Sequence, residues 1–277
     1  MTAGSVAVLG DLHFDRVDPE ACRALVADLA AQPLELVVVA GDLTQRARRA
    51  QFRAARRFLA SLTAPTLVIP GNHDLPLFDL PLRLLRPYGR YRRYIAPELE
   101  PSVCTPLVGA LGVDATGRLR HKDGHLGTAH IERAARRLRA LERPFRLVAV
   151  HQPLAALHAD DLPDVAHGAD RALERWLAAG ADLVVGGHVH RGYCLQVGSE
   201  RTGVVVQAGT AISTRRRHGL PNSYFRIDLE RDETGRGMRI VQRDHDAGRA
   251  TFVTRADFTA RETPRGWQLD PARGEQT

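Results

Sequence analysis

Lysine is nearly missing from this chain: of 39 basic residues only Lys122 is a lysine. Cysteine is scarce as well. Cys22, Cys104 and Cys194 are odd in number and far apart, which excludes a disulfide framework and a zinc knuckle and points to a reducing, cytoplasmic compartment. No run of 18 apolar residues occurs, which excludes a membrane-spanning helix. The opening MTAGSVAVLGDLHFD has no basic leader and its apolar run stops at Leu9, so it reads as a first β-strand and not as a signal peptide. A formal charge of +7 would by itself suggest a nucleic-acid partner. The arginine bias, beside abundant alanine, leucine and glycine, reads instead as the imprint of a GC-rich genome. The arginines within 46–57 and 132–143 alternate with apolar positions, as solvated helix faces do.

What is present is an ordinary globular composition, 44% hydrophobic and 26% charged over 277 residues, enough for one large domain or two small ones. Short apolar runs predict strands at 6–9, 34–40 and 66–69, with helices at 19–31 and 48–62 between them. That β-α-β-α-β order implies parallel strands and right-handed crossovers. Residues 75–107, rich in Pro, Leu, Arg and Tyr, break the order and are expected to form an irregular insertion with one short helix near 80–86. Strands at 107–113, 145–150 and 182–185 and helices at 128–141 and 169–179 follow. From residue 193 only strands are predicted, at 193–197, 204–208, 223–229 and 239–243. They suggest hairpins in a second, more antiparallel sheet packed on the first. With no repeat and no linker, one domain is expected over residues 1–258, followed by a loose polar tail over 259–277 that contains Pro264 and Pro271.

The chemistry collects where strands end. VIPGNHDLP, residues 68–76, stops a strand with Pro70 and Gly71 and then sets Asn72, His73 and Asp74 in a row. Pro-Gly-Asn is also common turn chemistry, so this stretch alone decides nothing. Other strand ends repeat the pattern: Asp11-Leu12-His13, Gly41-Asp42, His151-Gln152-Pro153 and Gly187-His188-Val189-His190. In open α/β sheets, ligands bind at the carboxyl ends of strands. In an extended segment Asp11 and His13 would face one side together, and so would His188 and His190. Glycines just before Asp11, Asp42, Asn72 and His188 give the backbone freedom and leave room beside it. Imidazole, carboxylate and amide oxygen suit Mn²⁺, Fe²⁺ or Zn²⁺ better than a thiolate-selected metal. Two such cations about 3.5–4 Å apart form a site for in-line displacement at phosphorus. Histidines 121, 125, 130, 158, 167, 218 and 245 fall outside these motifs and read as ordinary surface or core residues.

As a group, these motifs resemble the calcineurin-like metallophosphoesterase superfamily over roughly residues 5–215. The resemblance implies an α/β fold of four layers, two mixed sheets packed face to face and flanked by helices. It implies two divalent metal ions (Mn²⁺, Fe²⁺/Fe³⁺ or Zn²⁺). One would be held by Asp11, His13, Asp42 and His190, the other by Asp42, Asn72, His151 and His188, with Asp42 bridging. A hydroxide bridging the cations would attack phosphorus. His73 would sit over the phosphate and protonate the leaving alkoxide, and Asp74 would orient His73 as a carboxylate orients a catalytic imidazole. The chain departs from the pattern at Gln152, where relatives often carry a second histidine. It also has Gln45, not tyrosine, three residues after Asp42, which argues against the ferric-tyrosinate purple acid phosphatase type. No ligand position is missing, which argues against a non-catalytic metal-binding scaffold.

In style, Gly41-Asp42-Leu43-Thr44, Pro70–Asp74, His151-x-Pro153 and the 187–190 motif most resemble bacterial class III cyclic-nucleotide phosphodiesterases. So does the 123–127 stretch, DGHLG, which leads into a predicted helix. The expected reaction is hydrolysis of a phosphodiester, a cyclic nucleotide or another small diester. The alternatives are a DNA or RNA nuclease and a nucleotide-linked pyrophosphatase. The nuclease would need Arg83, Arg86, Arg90, Arg92 and Arg93 to line a groove, where a solvated arginine-rich loop is the simpler reading. The pyrophosphatase would have only Phe78, Leu80, Leu82 and Leu85 to hold acyl chains, and these suit a core-facing role equally well. Dimerisation is common among the relatives that the chain resembles, but nothing in the sequence marks a homodimer interface.

Overall fold

The computed structural model describes residues 2–117, 122–217 and 219–271. The alternating apolar runs and amphipathic helices of the first third fold as three parallel strands with helical crossovers. These are β1 (Thr2–Leu9), α1 (Pro19–Ala30), β2 (Leu36–Ala40), α2 (Arg49–Ala60) and β3 (Thr66–Ile69). β2 is buried along its whole length, as a parallel strand covered on both faces must be. α1 starts where it does because Asp18 accepts hydrogen bonds from the Glu20 and Ala21 amides, and because Pro19 has no amide to leave unpaired.

The insertion is more structured than the single predicted helix. It holds α3 (Leu80–Leu85), α4 (Gly89–Tyr94) and a short strand β4 (Ser102–Cys104). Tyr91 anchors this region: its ring is buried and its hydroxyl donates to the Val68 carbonyl at 2.9 Å. Tyr94 stacks on Phe52 of α2 at 6.3 Å. The chain then builds β5 (Val108–Val113), α5 (Thr128–Arg139), β6 (Phe145–Val150), α6 (Ala169–Ala178), β7 (Leu183–Gly186), β8 (Tyr193–Val197) and β9 (Gly203–Gln207). Their sheet runs β4-β5-β6-β7-β9-β8, parallel in the middle and antiparallel at both edges.

Two expectations fail at the C-terminal side. The late strands do not make a sheet of their own. β10 (Ser223–Asp232) pairs antiparallel with β1, from Thr2↔Arg231 to Val8↔Phe225, because β1 still offers an unpaired edge. β11 (Gly235–Asp246), β12 (Thr251–Thr263) and β13 (Gly266–Asp270) extend that sheet to the order β13-β12-β11-β10-β1-β2-β3. The second correction concerns the tail expected from residue 259, which is part of this sheet as far as Asp270. Phe258, Ala260 and Trp267 are buried, and Trp267 Nε1 donates to Asp182 at 2.8 Å. Pro264 lies in the turn between β12 and β13, where it interrupts no ladder. Residues 272–277 lie outside the described residues.

The two mixed sheets pack face to face. Val6, Val8, Leu36, Val38 and Ile69 of the first meet Leu147, Ala149, Val185 and Val206 of the second in one core. α1, α2 and α4 cover the outer face of the first sheet, and α5 and α6 that of the second. No helix among the described residues is long and apolar enough to cross a membrane. The carboxyl ends of β1, β2, β3, β6 and β7 lead directly into the five polar motifs.

Candidate metal centre

The polar motifs converge through an unusual backbone. Asp11, His13, Asp42, His188 and His190 all have positive φ, between 44° and 75°. Such conformations are uncommon outside glycine and cost roughly 1–3 kcal/mol each unless the surroundings enforce them. The expectation that Asp11-x-His13 and His188-x-His190 are extended is therefore incorrect: the outer residues of both segments are in the left-handed region. Consequently His188 and His190 do not face one side together but serve opposite ends of the site. Two glycines show how closely the turns pack. A Cβ on Gly71 would lie 2.2 Å from both the amide and Oδ1 of Asp42, and one on Gly187 would lie 2.7 Å from Asp11 Oδ2.

Asp42 stands between two donor groups. On one side its Oδ2 lies 3.8 Å from His13 Nε2, which is 3.1 Å from His190 Nε2 and 3.6 Å from Asp11 Oδ1. His190 Nε2 is 3.3 Å from the same Asp11 oxygen. On the other side Asp42 Oδ1 lies 3.4 Å from His151 Nε2. There Asn72 Oδ1 is 3.0 Å from both His151 Nε2 and His188 Nδ1. The histidines at the two ends are oriented from behind by backbone carbonyls: His151 Nδ1 by Ala40 at 2.7 Å, and His190 Nδ1 by Arg215 at 2.6 Å. Groups behind an imidazole set its tautomer and ring orientation in metal sites.

All seven expected ligands thus come together, and all are buried. The cluster fits a pair of cations better than it fits itself. Asp11 Oδ1 and His188 Nε2 are buried without a hydrogen-bond partner among the described residues. Asp11-His13-His190 and Asp11-Asp42-His151 each bring three donor atoms within 4.8 Å of one another. Burial drives His13 down to about 3 despite Asp42 and Asp11 beside it, so the ring is neutral and able to offer a lone pair. Burial opposes ionisation of Asp11, but His190 holds it at about 2. Burial likewise opposes ionisation of Asp42, and the nearby His151 and His73 keep its carboxyl well below the usual range. Burial would lower His151, yet the Asp42 carboxylate raises it to about 9. Two carboxylates and buried nitrogen donors at this density suit hard to borderline divalent metals.

His73 sits at the edge of this cluster, edge-on to His13 at 4.9 Å between ring centres. The residue behind it is not the expected one. His73 Nδ1 faces the Gln45 carbonyl at 2.9 Å. Asp74 accepts hydrogen bonds from the Gly71, Leu43 and Thr44 amides and from Thr44 Oγ1, all at 2.9–3.1 Å. The 3₁₀ turn over Asn72–Asp74 points the two side chains apart. Asp74 therefore ties the loop after β2 to the loop after β3, and the Asp42 loop is held through it. The His73 amide also donates to Asp42 Oδ1 at 2.8 Å.

Two further residues were not singled out by the motifs. Arg215 Nη1 lies 2.9 Å from His73 Nε2, so this side chain joins the site as well as supplying the carbonyl behind His190. Asp164 Oδ1 lies 3.6 Å from His188 Nε2. Arg215 follows β9, a strand parallel to β7, so its position past another carboxyl end was a usable signal. Asp164 lies in a 3₁₀ segment, Ala159–Asp164, with no such signal. The 123–127 stretch packs on Gln152, the residue after His151: a Cβ on Gly124 would lie 2.9 Å from Cβ of Gln152, and Gln152 Nε2 donates to the Lys122 carbonyl.

The insertion arginines do not line a common groove. Arg83 is buried and donates to the Pro76 carbonyl, and Arg90 donates to the Ala47 carbonyl. Phe78, Leu80 and Leu85 are exposed, not core-facing. Among the other histidines, His130 pairs with Glu100 and the His125 and His167 rings lie together. His121 and His218 lie outside the described residues.

Comparison with known proteins agrees with this geometry. The sequence profile of the calcineurin-like phosphoesterases matches residues 4–192, and the chain belongs to that family. No protein of curated function matches it. Among solved structures it is similar to PhoD, with a TM-score of 0.70 at 13% identity over 100% of this chain and 73% of that one. A dimetal phosphatase from Danio rerio gives 0.62 at 13% identity, covering 91% and 98%. A purple acid phosphatase from seeds of yellow lupin (Lupinus luteus) gives 0.62 at 12% identity, covering 93% and 53%. At these identities the likeness is one of fold.

Proposed function

We propose that this protein is a dinuclear-metal-dependent phosphodiesterase acting on a small diester, with a cyclic nucleotide as the first candidate. One observation carries the dinuclear reading: the two oxygens of Asp42 each face a different group of buried donors, His13 on one side and His151 on the other. Asp11, His13, Asp42 and His190 would hold one cation, and Asp42, Asn72, His151 and His188 the second. When bound, the cations supply positive charge against the phosphoryl group and acidify a water molecule.

The side chains around them have separable tasks. His73, with its Nδ1 turned to the Gln45 carbonyl, keeps Nε2 toward the reacting group. To protonate a leaving alkoxide, His73 must be the imidazolium, with one proton on Nδ1 toward the Gln45 carbonyl and a second, taken up from solvent, on Nε2; the Arg215 guanidinium, itself a donor, then has to move off Nε2. A guanidinium freed in this way is placed to meet a phosphoryl oxygen. Asp74 keeps the Asp42 and His73 loops in register. The preference for a diester rests on the motif style shared with class III cyclic-nucleotide phosphodiesterases.

The test is a substrate panel with Mn²⁺-loaded protein: 3′,5′-cyclic AMP, 2′,3′-cyclic AMP, bis-p-nitrophenyl phosphate, p-nitrophenyl phosphate and single-stranded DNA, with Asp42→Ala in parallel. Cyclic-nucleotide turnover that disappears in Asp42→Ala supports the proposal. Cleavage of the monoester alone would replace it with a phosphatase, and cleavage of DNA alone with a nuclease. No turnover in a protein that retains its metals would replace it with a binding scaffold.

A further inference from the structure

We infer that the face formed by α2, α3 and α4, beside the metal centre, docks on an anionic lipid surface. The first observation is apolar exposure in one place. Phe78, Leu80 and Leu85 are 78%, 61% and 82% exposed, within eight residues of one another and just past the Asn72-His73-Asp74 turn. Exposed apolar side chains grouped like this mark interaction surfaces more often than scattered ones do.

The second observation is charge. Between Thr44 and Pro97 the chain carries eleven arginines and only two carboxylates. Asp74 is buried, and Asp79 pairs with Arg90 at 3.4 Å. Arg53 of α2 and Arg93 of α4 both lie over the Tyr94 ring, at 6.0 and 5.8 Å, so these two arginines, one from each helix, share a face. No carboxylate pairs with Arg49, Arg53, Arg56, Arg86, Arg92 or Arg93 among the described residues. α5 differs in this respect: Arg133 and Arg137 pair with Glu100, and Glu132 of α5 pairs with Arg175 of α6.

The apolar and cationic parts adjoin, and both adjoin the site. Arg46 sits 5.3 Å over the Phe78 ring, and its neighbour Gln45 holds His73. Exposed leucine and phenylalanine framed by arginine is the chemistry of interfacial lipid binding: the apolar groups enter the headgroup boundary and the cations meet lipid phosphates. A nucleic acid would use the arginines but give Leu80 and Leu85 no apolar medium. The rings on which its bases could stack are already engaged: Tyr91 is buried, Tyr94 is flanked by Arg53 and Arg93, and Phe78 carries Arg46 on one face. Docked this way, the mouth of the metal centre lies close to the lipid headgroups.

The test is flotation of the full chain with vesicles of phosphatidylcholine alone and with about 30% phosphatidylglycerol, at low and high salt. Binding is expected on the anionic vesicles only, weakening as salt rises. It should fall about tenfold or more in Phe78→Ser/Leu85→Ser and, separately, in Arg53→Glu/Arg93→Glu. The same charge change on α5, Arg136→Glu/Arg139→Glu, should leave it unchanged. All three variants should keep their metal content and turnover of a soluble diester, which shows that they fold. No flotation on anionic vesicles overturns the inference, as does equal loss in the α5 variant. Binding of single-stranded DNA lost in the same α2–α4 variant, without flotation, would assign the face to nucleic acid instead. Because flotation needs no turnover, its failure is distinct from failure of the phosphodiesterase reading.

Discussion

The two ends of the candidate metal centre use the same residue types but reach them by different means. At the His13–His190 end, Asp11, His13 and His190 each have a left-handed φ, so the backbone is strained at each of these candidate ligands. At the other end, His151 follows β6 directly and Asn72 opens a 3₁₀ turn, and of the candidate ligands special to that end only His188 has positive φ. The first end therefore depends on neighbours that enforce its turns. Examples are the His13 amide bonded to the Asp42 carbonyl at 2.9 Å and the His188 amide bonded to Asp11 Oδ2 at 2.8 Å. The second end depends on the sheet itself. A ligand set that looks even along the sequence is thus uneven in how it is supported.

Breaking the shared element should have the largest effect. Asp42→Ala is expected to abolish turnover and to reduce bound metal at both ends, measured as metal per chain after dialysis. A variant that keeps two metals and full activity would remove Asp42 from the bridge. Next come the single-end variants. His13→Ala and His151→Ala should each bind about one metal fewer per chain.

His73→Asn should separate chemistry from metal binding at either end. Turnover is expected to fall about 10²–10⁴-fold with metal content near that of the unmodified chain. Loss of metal in this variant would make His73 a ligand.

A smaller effect tests the strain that distinguishes the two ends. His13→Gly and His13→Ala delete the same ligand, but only glycine takes the φ of 44° at this position without cost. In metal-free protein, His13→Gly should melt about 2–4 °C above His13→Ala. At residue 151, where φ is not positive, glycine should give no such advantage over alanine. Equal midpoints for the two residue-13 variants would show that the first end is not strained there.

The last comparison sharpens the contrast between the arginines of α5 and those of α2. Burial opposes ionisation of Glu100, but hydrogen bonds from His130 and Arg133 bring it down to about 2. A carboxyl held below its ordinary value stabilises the fold above that value, and the stabilisation is lost as pH falls toward the lowered one. Glu100→Gln should therefore lower the thermal midpoint at about pH 7 by about 2–4 °C or less, and the gap should close as the pH falls from 4.5 toward 2. A gap that persists in acid would show that packing, not charge, is what Glu100 contributes.

Much of this was legible along the chain. The strands that lead into the motifs are short and apolar and run into Asp, Asn or His, four of the five through a glycine, so their existence, order and chemistry could be read directly. The C-terminal strands were harder. β12 alternates Phe252, Ala256, Phe258 and Ala260 with Thr, Arg and Glu, and a register shift opposite Gln242 and Arg243 interrupts the period. Only four of its 13 residues are buried, so a polar tail was the natural reading. Asp74 shows a different limit. Adjacent to His73 in sequence, it faces away in space, because the 3₁₀ turn rotates successive side chains apart.

By itself, the sequence determined which residue types are available for metal and phosphate chemistry, and that they fall at strand ends. Those are local properties of apolar runs and turn residues. The tertiary structure alone decided which ends meet. It brought β10 onto the edge of β1, set His188 and His190 to opposite sides of Asp42, and placed Arg215 against His73 across 142 positions of chain. The reason is physical: these contacts are fixed by the packing of two sheets and by backbone turns with positive φ, and neither is encoded in the spacing of the residues they join.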